Sequence, residues 1–225
     1  MAVGERLLVA SPFDTVLALA ELLGEASFYQ SVFKTCLRIA LGFILSFFSG
    51  IVTAVLCFRF SLVKALLNPP IRILRAVPVA SVVIVMLIWI SSRQLSVATS
   101  FMMAFPIIHE NVLKGLENTD RKLLEMAKVF RIGWKKTLRA IWLPGVLPYL
   151  EAASLMTLGL CWKAGVAAEI IGLPTGTIGE KLYQAKVFFD TPSVFAWTVV
   201  VIALSFVFEK LFAGLLKEVL SKWKA

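Results

Sequence analysis

Few side chains in this sequence are placed where chemistry could occur. His109 is the only histidine, and Cys36, Cys57 and Cys161 all lie in or beside apolar runs. No two cysteines have CxxC spacing and none groups with the histidine, so the spacings of a structural zinc site, a haem attachment or a disulfide framework are missing. Enzymatic acid–base or nucleophilic work needs a nucleophile with a base, or paired carboxylates. One histidine and no paired carboxylates within an apolar run argue against it. What stands out instead is Lys163, with Trp162 before it and Glu169 after it, inside the apolar run 146–171. A charge at the centre of such a run costs roughly 2.5–3.5 kcal/mol on insertion scales, so Lys163 is expected to face protein or water. Two readings stay open. Lys163 lines a path that attracts an anion, with Trp162 and Glu169 beside it, or it is structural, snorkelling or paired with Glu169 or another run. Glu169 follows six residues later, about 240° around a helix, so the two do not face each other directly. Near Gly172, Glu169 reads as a gate, a contact for an outside partner or a solvated helix end. His109 and Glu110 read as helix-end hydrogen bonders, Glu151 as interfacial, and Arg75 as a helix cap, a partner contact or a basic flank. Trp89 and Trp197 read as packing or interfacial aromatics.

The second concentration of chemistry is the stretch 117–144, ENTDRKLLEMAKVFRIGWKKTLRAIWLP, with seven Lys or Arg and three Asp or Glu. Leu123, Leu124, Ala127 and Phe130 recur at helical spacing, and Asp120 stands where an N-cap belongs. Trp134, Leu138, Ile141 and Trp142 share a second helical face opposite Lys135, Lys136 and Arg139. The spacing predicts two short helices joined near Gly133, with Leu143-Pro144 and Pro148 opening the next apolar run, since proline suits a first turn. Such helices lie on a membrane surface or insert into a groove of a soluble partner.

The elements that must position these residues are membrane spans. The chain is 59% hydrophobic and 16% charged, against about 25% charged in soluble domains, and its mean hydropathy is +0.87. Ile39–Phe58 is an uncharged run of 20 residues, enough for a hydrocarbon core of about 30 Å, and its helix is expected to start near Ser31. Ala76–Ile90, Leu95–Ile108 with an extension to Leu113, Val146–Ile171 and Ser193–Phe208 complete five spans. Asn68-Pro69-Pro70 reads as a breaker, 172–192 as a Gly/Pro-containing loop, and Ser11-Pro12 as the start of a short amphipathic helix. The Lys and Arg gather in 59–75, in 114–144 and after the last span, including Lys217, Lys222 and Lys224. The positive-inside rule therefore places those segments in the cytoplasm and residues 1–31 outside. That charge distribution also explains the net +9 without nucleic acid, because no basic stripe with interleaved aromatics exists. The first residues show no basic region followed by an apolar core, so no secretory leader is expected.

These residues carry a family resemblance. Glu125-x-Ala127 followed by Ile141-Trp142-Leu143-Pro144 resembles the EAA loop of ABC importer permeases. Leu74-Arg75-Ala76-Val77-Pro78, Phe105-Pro106-Ile107-Ile108 with Asn111 and Gly115-Leu116, and Asp190-Thr191-Pro192-x-Val194-Phe195-Ala196-Trp197 resemble further blocks of the nitrate/sulfonate/taurine type. Together they cover roughly residues 11–217. Two positions depart: Met126 replaces the middle Ala, and the loop's Gly falls on Arg131, the nearest glycine being Gly133. The resemblance implies an all-α polytopic transmembrane bundle of the type I ABC importer permease kind. It has three parts: an outer segment 1–31, a permease domain 32–217 with coupling loop 117–144, and a cytoplasmic tail 218–225. Leu124, Glu125, Ala127, Lys128, Arg131, Gly133, Ile141, Leu143 and Pro144 would form the ATPase-coupling site. The implied partners are cytoplasmic ABC ATPase subunits, an extracytoplasmic solute-binding protein, a second permease copy and membrane lipid. ATP and Mg would sit on the ATPase, since this chain lacks GxxxxGK[ST]. Family members commonly carry one more N-terminal span, which here would lie upstream or be missing. The implied solute is a small anion, with a thiamine-precursor-like heterocycle as the alternative. A non-transporting scaffold and an intramembrane enzyme are the competing classes.

Overall fold

The computed structural model describes residues 10–224, and all regular structure among them is helical. Helix α1, Pro12–Leu23, begins as expected: Ser11 caps it by accepting from the Asp14 amide at 3.2 Å, and Pro12 opens the first turn. Phe13, Val16 and Leu17 stay exposed along it. The readings made for residues 1–9 lie outside the described residues.

Helix α2, Ala26–Arg59, starts five residues before Ser31 and runs for 34 residues. Gly42, Ser46, Gly50 and Ala54 recur every fourth residue and are buried. This small-residue face lets α5, Ser92–Glu117, approach closely. A Cβ at Gly42 would lie 2.5 Å from the Val97 carbonyl oxygen, and one at Gly50 would lie 2.9 Å from Ile108 Cγ2. Because position 42 meets 97–101 and position 50 meets 108, α2 and α5 run parallel.

The expected span at 76–90 takes a different form. Helix α3, Ser61–Ala76, passes straight through Pro69 and Pro70, so the expected breaker does not break. Those prolines withhold the N–H groups that would reach the carbonyls of residues 65 and 66. The break falls at Pro78, which holds Val77 in the extended region (φ −74°, ψ 131°). Helix α4, Val79–Met86, leaves α3 at 104° and has only eight residues.

The charged stretch contains α6, Arg121–Val129, and α7, Trp134–Thr137. A π-helical turn, Leu138–Trp142, then leads into α8, Leu143–Gly172, without interruption, so 134–172 is one helix of 39 residues. Pro144 thus stands in the first turn of the apolar run as expected, but the helix is already running when it arrives. The wider π turn just before Pro144 accommodates a residue that can neither donate to the carbonyl four back nor tolerate its closeness. The expected loop 172–192 holds a further helix, α9, Ile178–Val187, capped by Thr177 Oγ1 accepting from the Glu180 amide. Helix α10, Thr191–Lys224, continues from the last apolar run into the tail as expected. The side chains of Lys217, Lys222 and Lys224 lie outside the described residues.

Among the described residues three helices, Ala26–Arg59, Trp134–Gly172 and Thr191–Leu216, are long and apolar enough to cross a membrane, and the bent pair α3–α4 would be a fourth if it counts as one span. The expected third span, α5, has 26 residues but carries Arg93, His109, Glu110, Lys114 and Glu117. It does not need a lipid-facing apolar surface, because it lies between α2 and the antiparallel α8. The core joins Ile39 and Phe43 of α2, Ala104, Ile108 and Val112 of α5, and Leu158, Cys161 and Val166 of α8.

Candidate functional site

Two polar regions occupy opposite ends of this bundle. The charged loop 117–144 is the first. Asp120 accepts from the Lys122 amide at 2.8 Å and caps α6 as its type predicts. The C-terminus of α6 closes as a Schellman motif: the Ile132 amide donates to the Ala127 carbonyl at 2.8 Å and the Arg131 amide to the Lys128 carbonyl at 3.1 Å. Arg131 thus takes φ 50° in the left-handed region, while Gly133 has φ −60° and simply precedes α7. The bend stays where the resemblance places glycine and does not move to the nearest one.

Of the expected coupling residues, Ala127 and Ile141 are buried, pinning the loop to the bundle. Leu124, Leu143 and the half-buried Trp142 lie beneath, and Glu125, Lys128, Arg131, Gly133 and Pro144 are exposed. A cavity of about 330 Å³ lies under the loop, lined among others by Phe58, Thr119, Leu124 and Trp142. Glu117 at the loop's start pairs with Lys64 of α3 at 2.5 Å. Arg75 pairs with Glu110, which assigns that arginine to an ion pair on the bundle. Among these charges the loop also turns apolar side chains outward: Met126, Val129, Phe130 and Trp134 are all exposed, Val129 at 77%. Burying a side chain of this size stabilises by ~1.5–3 kcal/mol, so this surface can hold a partner.

The second region gathers where α2 and α5 begin and α8 ends. Glu169 is fully buried. Its carboxylate accepts from Thr35 Oγ1 at 2.8 Å, Ser96 Oγ at 3.0 Å and the Gly179 amide at 3.3 Å, and faces Arg38 Nη1 at 3.8 Å. It therefore ties α2, α5, α8 and α9 together. The expectation of a solvated helix end or an outside contact is corrected: α9 and its loop cover the carboxylate. Lys163 has no ion pair with Glu169 and is exposed on the side of the bundle, which removes that pairing. Trp162 is 1% exposed and packs edge-on against Phe208 at 5.6 Å, so it fills the core. His109 bonds across to Thr53 Oγ1 of α2 at 2.9 Å through Nδ1 and is buried, where a helix-end role was expected.

Sequence reasoning missed Thr35, Arg38 and Ser96 as partners of Glu169. The available signal was Lys34 and Arg38, four apart on one helix face beside the longest uncharged run. Among the described residues no group of three His, Cys, Asp or Glu converges as a metal site would require.

Comparison with known proteins identifies relatives of this arrangement. Residues 42–220 match the family described as the binding-protein-dependent transport system inner membrane component. The aliphatic sulfonates transport permease protein SsuC of Bacillus subtilis is 27% identical over 95% of this chain and 77% of its own length. The taurine transport system permease protein TauC of Escherichia coli is 25% identical over 82% and 67%. A crystal structure of an amino acid ABC transporter with histidines superposes with a TM-score of 0.65 over 93% of this chain and 97% of that one. At 16% identity that likeness concerns the fold alone.

Proposed function

The chain belongs to the binding-protein-dependent transport system inner membrane component family, a permease component and not an enzyme, and from that premise we propose that it forms the path of an ATP-driven importer for a small anion. The relatives named for sulfonates and taurine support the anion class. An extracytoplasmic binding protein would deliver the solute, and separate ABC ATPase subunits would hold ATP and Mg. The loop 117–144 and the C-terminus would face the cytoplasm, as the positive-inside rule favours.

The observation that carries this reading is α6. It is a short capped helix in the loop that joins α5 to α8, pinned by the buried Ala127, and it turns apolar side chains outward. A groove on an ATPase subunit would receive Met126, Val129 and Phe130, with Glu125 and Lys128 at the rim. Because 134–172 is continuous, displacement of α6 would be passed to the helix that carries Glu169. The exposed apolar residues Ile84, Ile88 and Trp89 offer a surface for lipid or a second permease copy.

Phe130→Asp tests the docking role. Phe130 is 72% exposed, so folding is spared, and co-purification of the ATPase with the permease is expected to fall by about tenfold or more, as a lost hot spot of ~2 kcal/mol implies. Unchanged co-purification would contradict the reading.

A further inference from the structure

A cavity of about 550 Å³ opens at the Glu169 end of the bundle, lined by Lys34, Leu37, Arg38, Arg93 and Thr175. That volume suits a small ligand. Three cations converge on it and no carboxylate lines it. Lys34 and Arg38 stand four apart on one face of α2, Arg93 lies in the first turn of α5, and Thr175 lies in the loop between α8 and α9. The Lys34 ammonium lies against the loop: a Cβ at Gly176 would be 2.5 Å from its Nζ.

The nearest carboxylate does not neutralise this group. Glu169 already accepts from Thr35, Ser96 and Gly179 and meets only Arg38 Nη1, at 3.8 Å. That Nη1 is buried without a hydrogen-bond partner. Lys34 and Arg93 form no ion pair among the described residues. Glu180, the other carboxylate close by, receives the Gly176 amide. Like charges focused in one concavity repel each other and raise the local concentration of anions. Guanidinium groups and an ammonium match the oxygens of a carboxylate or sulfonate.

We propose that this cavity is an anion-binding site for a small solute carrying a carboxylate or sulfonate, placed at the end of the bundle away from the coupling loop. Lys34 and Arg93 attract the anion, Arg38 receives it, and Thr175 supplies a hydroxyl. The site rests on the transport reading for its role as the mouth of the path. Its position on the α2–Glu169–α9 junction would let anion binding act on the contacts that hold the bundle's end closed.

The test is thiol labelling of Thr175→Cys in the full-length permease in nanodiscs, with labelling of the native cysteines in the parent subtracted. An anionic sulfonatoethyl methanethiosulfonate is compared with its trimethylammonioethyl counterpart, with and without ethanesulfonate. The anionic reagent is expected to react at least ~10-fold faster, and ethanesulfonate is expected to slow it. Lys34→Gln with Arg93→Gln, both exposed, is expected to abolish the preference and the protection. Arg38 is kept because Glu169 is buried beside it. Equal rates for the two reagents would overturn the site. Nanodiscs of phosphatidylcholine alone and with phosphatidylglycerol separate the sources. Protection by phosphatidylglycerol with no effect of ethanesulfonate would overturn the solute assignment in favour of a lipid phosphate. No ATP or uptake enters this measurement, so its failure is distinct from failure of the transport reading.

Discussion

Glu169 and Arg131 show how single residues are used in this chain. The Glu169 carboxylate is the shared acceptor of Thr35, Ser96 and the Gly179 amide. Glu169→Ala strands Arg38 and three donors that now share its buried carboxylate, a loss of roughly 3–5 kcal/mol for a broken buried pair. The expected readout is a large drop in the thermal unfolding midpoint in detergent, with Glu169→Gln losing less because its amide oxygen still accepts. Arg131 pays the opposite kind of cost. A non-glycine residue at φ 50° is disfavoured by ~1–2 kcal/mol. Arg131→Gly is therefore expected to raise the unfolding midpoint, and no rise would show that the Arg131 side chain offsets the strain. The sequence left the position of this bend open, its nearest glycine being Gly133 and the resemblance placing one at 131; the backbone puts it at Arg131. The role of Glu169 was not legible, because its partners lie 134 and 73 residues away in the chain.

At the level of elements, small residues decide which helices meet. Gly42→Ala drives a methyl into the Val97 carbonyl, a backbone atom that cannot swing aside. The expected cost is about 1–3 kcal/mol, measured as loss of folded monomer in detergent. Gly133→Ala is the control, since nothing lies within 4 Å of its Cβ, and it should leave that fraction unchanged. The first outcome follows from α2 and α5 being parallel neighbours, which no local pattern disclosed. The apolar runs at 39–58, 146–171 and 193–208 announced their helices, because lipid-facing surface must be apolar over the whole length. Ser92–Glu117 announced itself poorly, because a helix enclosed by protein can carry His109 and Ser100 against neighbours. Pro69 and Pro70 misled, since they sit within a helix while Pro78 makes the bend, whereas Pro144 opens its apolar run in a first turn as expected.

At the scale of the whole molecule, two candidate sites stand at opposite ends of the bundle. The loop 117–144 turns apolar side chains outward at one end and the cations around Glu169 gather at the other, joined by the helix 134–172. The most direct test of this account is crosslinking from the loop to an ATPase subunit. Glu125 is exposed beside Met126 and Val129, so Glu125→Cys is combined with cysteines around the proposed groove of the co-expressed ATPase. The account predicts a crosslink whose yield changes between the nucleotide-free and ATP-bound complexes. Absence of a crosslink in every nucleotide state, with the complex intact, would contradict it.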